Sequence, residues 1–420
     1  MINRRILTDL KAHLNKKEFS LIVGPRQAGK TTVMKLLQDY LKTQGEKTLF
    51  LSLDFESDQP FFISQSALVK KIQLEFGQDK GYVFIDEIQR KENAGLFLKG
   101  LYDLGLPFKI IVSGSGSLEL KEKIHESLVG RKQIFEMGTL SFEEFVDFKT
   151  DYHYPARLHE FFAVESQKTK ELFLEYLHYG GYPRVVLESS LQGKKQVIDD
   201  IYRSFLERDI SFLLKVEKLE AFRHLIKILA AQIGRLINFS ELSSTLGVSL
   251  ATAQNYLWYA QQTFTVEKIT PYFKNVRKEI TKSPVGYFYD LGLRNYALGL
   301  WENLPLSADQ GFLFQNFVLS LLKEKLKNTP AEIHFWRTKD KAEVDFVIDY
   351  GKEIIPIEVK FTDMKQPAIE RSLRSFISNY KPLQAWVVNL SLKETFKIHE
   401  TQVHVMPFYE LMFPKTEEKT

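Results

Sequence analysis

Gly24-Pro-Arg-Gln-Ala-Gly-Lys-Thr-Thr32 decides how the first part of this chain folds. The run before it, Phe19-Ser-Leu-Ile-Val23, is short and apolar and predicts a buried strand. After it, Thr31-Thr-Val-Met-Lys-Leu-Leu-Gln-Asp-Tyr-Leu41 carries apolar residues at helical spacing. Strand, glycine loop and helix are the setting of a phosphate-binding loop. Gly24 and Gly29 let the backbone bend so that its N–H groups face a phosphate, and the helix N-terminus adds the positive end of its dipole. The nucleotide-contacting set is then Gly24, Pro25, Arg26, Gln27, Ala28, Gly29, Lys30, Thr31 and Thr32. Lys30 is expected to reach the β- and γ-phosphates, and the Thr31 hydroxyl to ligate magnesium. ATP with Mg2+ is the expected ligand.

A second element must complete the metal site and activate water. Tyr82-Val-Phe-Ile85 reads as a strand ending in Asp86-Glu87. There Asp86 would face the metal and Glu87 would serve as general base, which extends the expectation from binding to hydrolysis. Thr48 to Leu53 and Phe108 to Ser113 are further strands ending in polar or glycine residues, with helical stretches between. That alternation predicts an α/β fold with a parallel sheet and its site at the carboxyl ends. Ser113 and Ser115 stand where a polar sensor of the γ-phosphate would lie, or cap a helix beginning near Leu118. Arg131, before the strand-like Gln133-Ile-Phe-Glu-Met137, is a candidate arginine finger in cis or from a neighbouring subunit. Its alternative is a surface salt bridge.

The chain of 420 residues is long for one core and predicts two or three domains. A net charge of +4, from 57 basic and 53 acidic residues, neither requires nor excludes a nucleic-acid partner. The absence of cysteine excludes a disulfide framework, thiolate zinc sites and a cysteine nucleophile. No apolar leader opens the chain, and no run approaches the ~20 apolar residues of a membrane span, so a cytoplasmic protein without membrane contact is expected. The 33 phenylalanines predict large cores or interfaces.

Four segments follow from these patterns: 1–150 for the ATPase domain, 151–235 helical, 236–300 around a helix-turn-helix, and 301–420. Gly180-Gly-Tyr-Pro183 interrupts the helical region, and the charges of Glu207-Arg-Asp-Ile210 read as a solvated or interdomain face. Within 237–263, Ser240 would cap a first helix, Gly247 makes the turn and Ser249 caps a second. Thr252, Gln254 and Asn255 could present polar groups to DNA or RNA, with Lys274, Arg277 and Lys278 assisting. The second helix has no Lys or Arg, which removes the main electrostatic contribution to DNA affinity. In the last segment, His334-Phe-Trp-Arg337, Glu343 to Ile348 and Ile354 to Lys360 read as three strands. They bring Asp345, Glu358 and Lys360 into the spacing of a restriction-nuclease core, with Glu358 and Lys360 on one strand face.

Taken in order, these segments resemble a bacterial and archaeal family of AAA-type ATPases. The resemblance rests on Gly24 to Thr32, Phe84-Ile-Asp-Glu-Ile-Gln89, Val129-Gly-Arg131, Gly180-Gly-Tyr-Pro183, Tyr287-Phe-Tyr-Asp-Leu-Gly-Leu293, and Glu343-Val-Asp-Phe through Ile357-Glu-Val-Lys360. It implies a P-loop parallel-sheet ATPase domain, a helical and winged-helix region, and a C-terminal α/β restriction-endonuclease-like domain. It also implies ATP binding and hydrolysis with Lys30, Thr31, Asp86 and Glu87 in the roles above. The family's usual Leu-Phe-Glu-Asn is here replaced at Phe314-Gln-Asn316, so Gln315 removes an anionic oxygen from any metal site that glutamate would complete. The expected function is an ATP-driven switch or motor acting on nucleic acid or on a protein partner, with oligomerisation allowed for. The alternatives are an ATP-regulated nuclease, and a protein-interaction switch with an inactive nuclease-like domain.

Overall fold

The computed structural model describes residues 2–116, 128–213, 218–273, 282–301, 310–340 and 342–413. Helix α1 (Ile6–Ala12) precedes β1 (Phe19–Gly24), and α2 (Lys30–Thr43) follows it. Then come β2 (Thr48–Ser52), α3 (Gln65–Phe76), β3 (Gly81–Asp86), α4 (Ala94–Asp103), β4 (Phe108–Ser115) and β5 (Lys132–Glu136). The five strands form one sheet of order β2-β3-β4-β1-β5, and every pairing is parallel. Strand alternation sends Ile22, Phe84 and Ile111 into a core beneath α1 and α2. Leu21, Val83, Ile85 and Val112 enter the core beneath α3 and α4. Both faces are therefore covered, as near-continuous apolar strands require.

Next comes a helical stretch: α5 (Phe142–Lys149), α6 (Leu158–Val164), α7 (Ser166–Tyr179), α8 (Pro183–Leu187) and α9 (Leu191–Ser204). A π-helical segment, Phe205–Leu213, and α10 (Leu219–Ala231) extend it. Glu207 is exposed and Ile210 buried, whereas the side chains of Arg208 and Asp209 lie outside the described residues. Helices α11 (Phe239–Leu246) and α12 (Leu250–Gln262) are joined at Gly247, whose φ of 61° is a left-handed turn. Ser249 caps α12 as its sequence position suggests, but the cap of α11 is Asn238 rather than Ser240. The Asn238 side chain accepts from the backbone N–H groups of Ser240 and Glu241, so Ser240 is already inside the helix. An antiparallel pair, β6 (Val266–Ile269) and β7 (Val285–Phe288), follows α12, and α13 (Leu291–Ala297) closes the region. Lys274, Arg277 and Lys278 lie outside the described residues.

The C-terminal part is α14 (Gln310–Leu326), β8 (Glu332–Arg337), β9 (Glu343–Asp349), β10 (Ile354–Val359), α15 (Arg371–Tyr380), β11 (Gln384–Asn389), β12 (Glu394–Ile398) and β13 (Thr401–Pro407). Its six-stranded mixed sheet has the order β12-β13-β11-β10-β9-β8. The phenylalanines concentrate where this part meets the helices. Phe142 and Phe317 lie 5.2 Å apart edge to face, and Phe173 is 4.9 Å from both Phe317 and Phe408. These geometries suit the ring quadrupole. One continuous core thus runs from α5 to the C-terminal sheet.

The N-terminal segment ties the two halves together. Arg4 donates to Glu144 at 3.0 Å and to the carbonyls of Ala28 at 2.7 Å and Gly138 at 2.9 Å. Both charged side chains are less than 10% exposed, at 8% and 6%. Glu144 also closes a capping box with Ser141 at the start of α5. Glu144→Ala leaves a buried guanidinium without its counter-charge and should cost about 3–5 kcal/mol of stability. Denaturant unfolding checks this; a loss within about 0.5 kcal/mol of zero would show the pair to be dispensable.

Candidate functional site

The loop after β1 is held open by backbone geometry. Gly29 has φ of 96° and Gln27 of 58°, two left-handed positions on either side of Ala28 that turn the peptide planes inward before α2. At Gly24 a Cβ would sit 2.0 Å from the Met137 carbonyl oxygen, so only glycine allows this approach. Lys30 opens α2 and is buried, its Nζ donating to the carbonyls of Gly24 at 3.0 Å and Pro25 at 2.8 Å. The ammonium therefore lies folded along the loop's own rim, where an incoming phosphate would compete for it.

β3 delivers the acids. Asp86 ends the strand, 4% exposed, and accepts from the Thr31 hydroxyl at 2.8 Å and from the Ser113 hydroxyl. The two hard oxygens expected to hold a metal, on Thr31 and Asp86, thus lie side by side across 55 residues of sequence. Ser113 thus bonds this carboxylate, while Ser115 is buried at the end of β4 with its N–H on the Gln89 side chain at 3.2 Å. Glu87 follows in the left-handed region, φ 56° and ψ 42°, a strained setting for a residue with a Cβ. Its carboxylate accepts from Gln89. Burial raises its pKa above the ordinary glutamate value, opposed by nearby Lys30 and reinforced by Asp86.

Three contributors receive no role from the motifs alone. Arg4 fixes the Ala28 carbonyl from 24 residues away. Gln89 bridges Glu87 to the end of β4. Arg184, on α8, donates to the Gln27 side chain at 2.8 Å, and Pro183 lies against Gly29. The signal for Gln89 was its two-residue spacing from Glu87; nothing local marks Arg4 or Arg184.

Arg131 is placed differently from the finger expected in cis. Its carbonyl accepts from the Phe19 N–H, so it lies where β1 begins, whereas the loop lies where β1 ends. A six-residue strand separates the two by roughly 20 Å. Its guanidinium pairs with Asp103 at 3.1 Å and lies over the Tyr102 ring.

In the C-terminal sheet, Asp345, Glu358 and Lys360 do converge. Lys360 Nζ is 2.9 Å from Glu358 and also contacts Glu370. Asp345 accepts from the Val359 N–H and from the Gln315 side-chain amide, each at 2.6 Å. Burial pushes the Asp345 carboxyl up to about 7, with Glu358 adding to the rise and the Val359 and Lys360 groups opposing it. Among the described residues no group of three or more His, Cys, Asp or Glu could hold a metal ion. Gln315 stands as a neutral donor beside Asp345, so the residues present do not fit a divalent cation here.

Comparison with known proteins agrees with this geometry in its first part. Residues 16–146 match the family described as an AAA domain. The match supports a nucleotide-binding AAA-type domain in that stretch. Residues 170–303 and 310–411 match two families described only as domains of unknown function. A Mycobacterium tuberculosis protein described as uncharacterised is 29% identical over 369 residues, 87% of this chain and 75% of its own length. Another so described, from Methanocaldococcus jannaschii, is 25% identical over 98% of this chain and 90% of its own length. The solved structure of the Aeropyrum pernix Orc1 protein with DNA aligns at 13% identity over 71% of this chain and 92% of its own, with a TM-score of 0.30. At that score the likeness carries no argument.

For the nucleotide site the fit is good: one hydroxyl and one carboxylate on the protein side, with substrate phosphates to supply the rest, is how magnesium is commonly held. For the C-terminal pocket, Gln315→Glu places a second carboxyl against Asp345. Both ionise near pH 4 when unfolded, but in the fold one keeps its proton to a higher pH. The native state then binds more protons, so stability falls as pH rises from about 5 to about 8, and by more in the variant than in wild type. Thermal unfolding at the two pH values checks the sign; equal losses would show that the groups do not interact.

Proposed function

We propose that the chain hydrolyses ATP and works as a switch whose nucleotide state is passed to its C-terminal modules, which act on nucleic acid or on a protein partner. The observation that carries this reading is the convergence of Lys30, Thr31, Asp86 and Glu87 at the carboxyl ends of β1 and β3. Water attacks the γ-phosphorus, forming one P–O bond as the bridging bond to ADP breaks. Glu87 takes the proton that water gives up, and Lys30 moves from the loop carbonyls to the β- and γ-oxygens. Magnesium bound by Thr31 and Asp86 would draw charge from those same oxygens. Ser113 and Gln89 keep the two acids oriented.

Two contacts support the switch. Arg184 and Pro183 bring the helical region onto the loop itself. Phe264, just past α12, is 5% exposed and packs into the core beneath α3 and α4. Its ring is so close to Gly116, one residue beyond β4, that a Cβ there would lie 2.2 Å from it. A shift at the end of β4 on loss of the γ-phosphate would therefore meet a ring already in contact. A role for Arg131 on nucleotide requires a second copy of the chain.

The downstream modules have features of both expected partners. α11, α12 and the β6–β7 pair follow the order of a winged helix, and Gln254 and Asn255 are exposed on α12. Cleavage is not part of the proposal, because Gln315 and the Val359 N–H occupy both oxygens of Asp345.

Phosphate release from ATP should be lost in Lys30→Ala and fall about 10²–10⁴-fold in Glu87→Gln. Unchanged turnover in both variants would overturn the assignment. Because Glu87 acts deprotonated and burial raises its pKa, wild-type kcat should decline as pH falls through a value above the ordinary glutamate range. A profile flat down to about pH 4 would remove Glu87 as the base.

A further inference from the structure

The β6–β7 pair does not stand apart from the C-terminal sheet. Beyond β6, Tyr272 N–H donates to the Phe335 carbonyl at 2.6 Å, and Phe335 N–H donates to Thr270 at 3.2 Å. Pro271 and Phe335 form a parallel bridge, so this segment covers the edge strand β8. Between the two lies a solvent-open cleft of about 1100 Å³. Its volume lies at the upper end of the usual range for a small-molecule site, roughly 300–1,000 Å³.

The chemistry of the walls is one-sided. Lys282, Arg337 and Lys339 line the cleft, and among the described residues no acidic side chain does. Arg337 is 3.2 Å from Glu343, which has its own place on β9. Lys282 and Lys339 are exposed, and among the described residues neither has a carboxylate partner. The half-buried rings of Phe273 and Tyr380 line the same cleft, with Tyr380 fixed by a 3.2 Å bond from the Trp336 indole N–H. A cleft lined by both cations and aromatic rings suits an anionic polymer whose units carry flat faces.

We infer that this cleft binds single-stranded nucleic acid, with phosphates on Lys282, Arg337 and Lys339 and bases against Phe273 and Tyr380. The inference rests on the nucleic-acid branch of the proposed function and moves the contact from α12, which has no cation, to the cleft beside it. Phe264 lies just before β6, and the chain beyond β6 lines the cleft at Pro271 and Phe273, so the same segment faces the core beneath α3 and α4 at one end and the cleft at the other.

The test is fluorescence anisotropy of the full chain with a labelled oligothymidylate of about fifteen nucleotides, a length that spans one single-strand site. No nucleotide is added, so failure of oligonucleotide binding and failure of ATP turnover are separate results. Wild type should bind, and the double variant K282E/K339E should bind at least tenfold more weakly. Its log–log salt slope should be shallower by about 1.4, the loss of two phosphate contacts on a single strand. Phe273→Ala should weaken binding roughly 5- to 150-fold through the lost stacking. Lys397→Glu, an exposed cation on β12 at the opposite edge of the sheet, should bind as wild type does. No binding by wild type, equal binding by K282E/K339E, or displacement of the oligonucleotide by polyglutamate as readily as by unlabelled oligothymidylate would overturn the inference. The last of these would assign the cleft to an acidic polypeptide.

Discussion

A buried guanidinium and a buried carboxylate, Arg4 and Glu144, set the frame on which the nucleotide site depends. Removing two charges from water is costly, and attraction between them does not by itself repay it. Here the remaining donors of Arg4 end on the carbonyls of Ala28, Gly138 and Thr139, so the pair is stable only when three segments occupy one arrangement. Those segments are the phosphate-binding loop, the exit from β5 and the first turn of α5. The loop's shape is thereby made a property of the helical region as well as of the sheet.

A second buried carboxylate carries that constraint onward. Asp290 accepts from the N–H groups of Gly181 at 2.8 Å and Leu293 at 3.0 Å, and Gly181 in turn accepts from Leu140. Burial raises the Asp290 pKa while these donors oppose the rise. At Gly180 a Cβ would lie 2.1 Å from the Asp290 carboxylate, which accounts for glycine at that point of Gly180-Gly-Tyr-Pro183. The turn it fixes is the one that carries Pro183 and Arg184 to the loop. Nucleotide site, helices and the segment leading to the C-terminal sheet therefore share a network of packed and hydrogen-bonded groups, the physical requirement for coupling between distant sites.

Much of this was legible in the sequence, for identifiable reasons. Strand, loop and helix around Lys30 are local patterns, and Asp86-Glu87 ends an apolar run that can only be a strand in this fold. Asp345, Glu358 and Lys360 were legible because β-strand alternation is strict. What escaped depends on contacts far apart along the chain. Arg4 and Glu144 are separated by 140 positions, and each alone reads as an ordinary surface charge. The reading of Arg131 stayed open between a finger and a surface salt bridge because motif order does not say at which end of a strand a residue lies. The register pairing Phe19 with Lys132 puts it at the end away from the loop. The cap of α11 went to Asn238 over Ser240 because both are good caps, and the choice was made by where the chain enters from Ile237, buried against Gly286.

Nucleotide bound at the loop should be felt beyond the N-terminal parallel-sheet domain. Amide hydrogen exchange of the Glu87→Gln protein with and without Mg-ATP measures this directly. Slowed exchange at Gly180 to Arg184 and from Thr263 to Ile269, along with the loop, is the predicted result. Protection confined to residues between Phe19 and Glu136, with those two segments unchanged, would contradict the account.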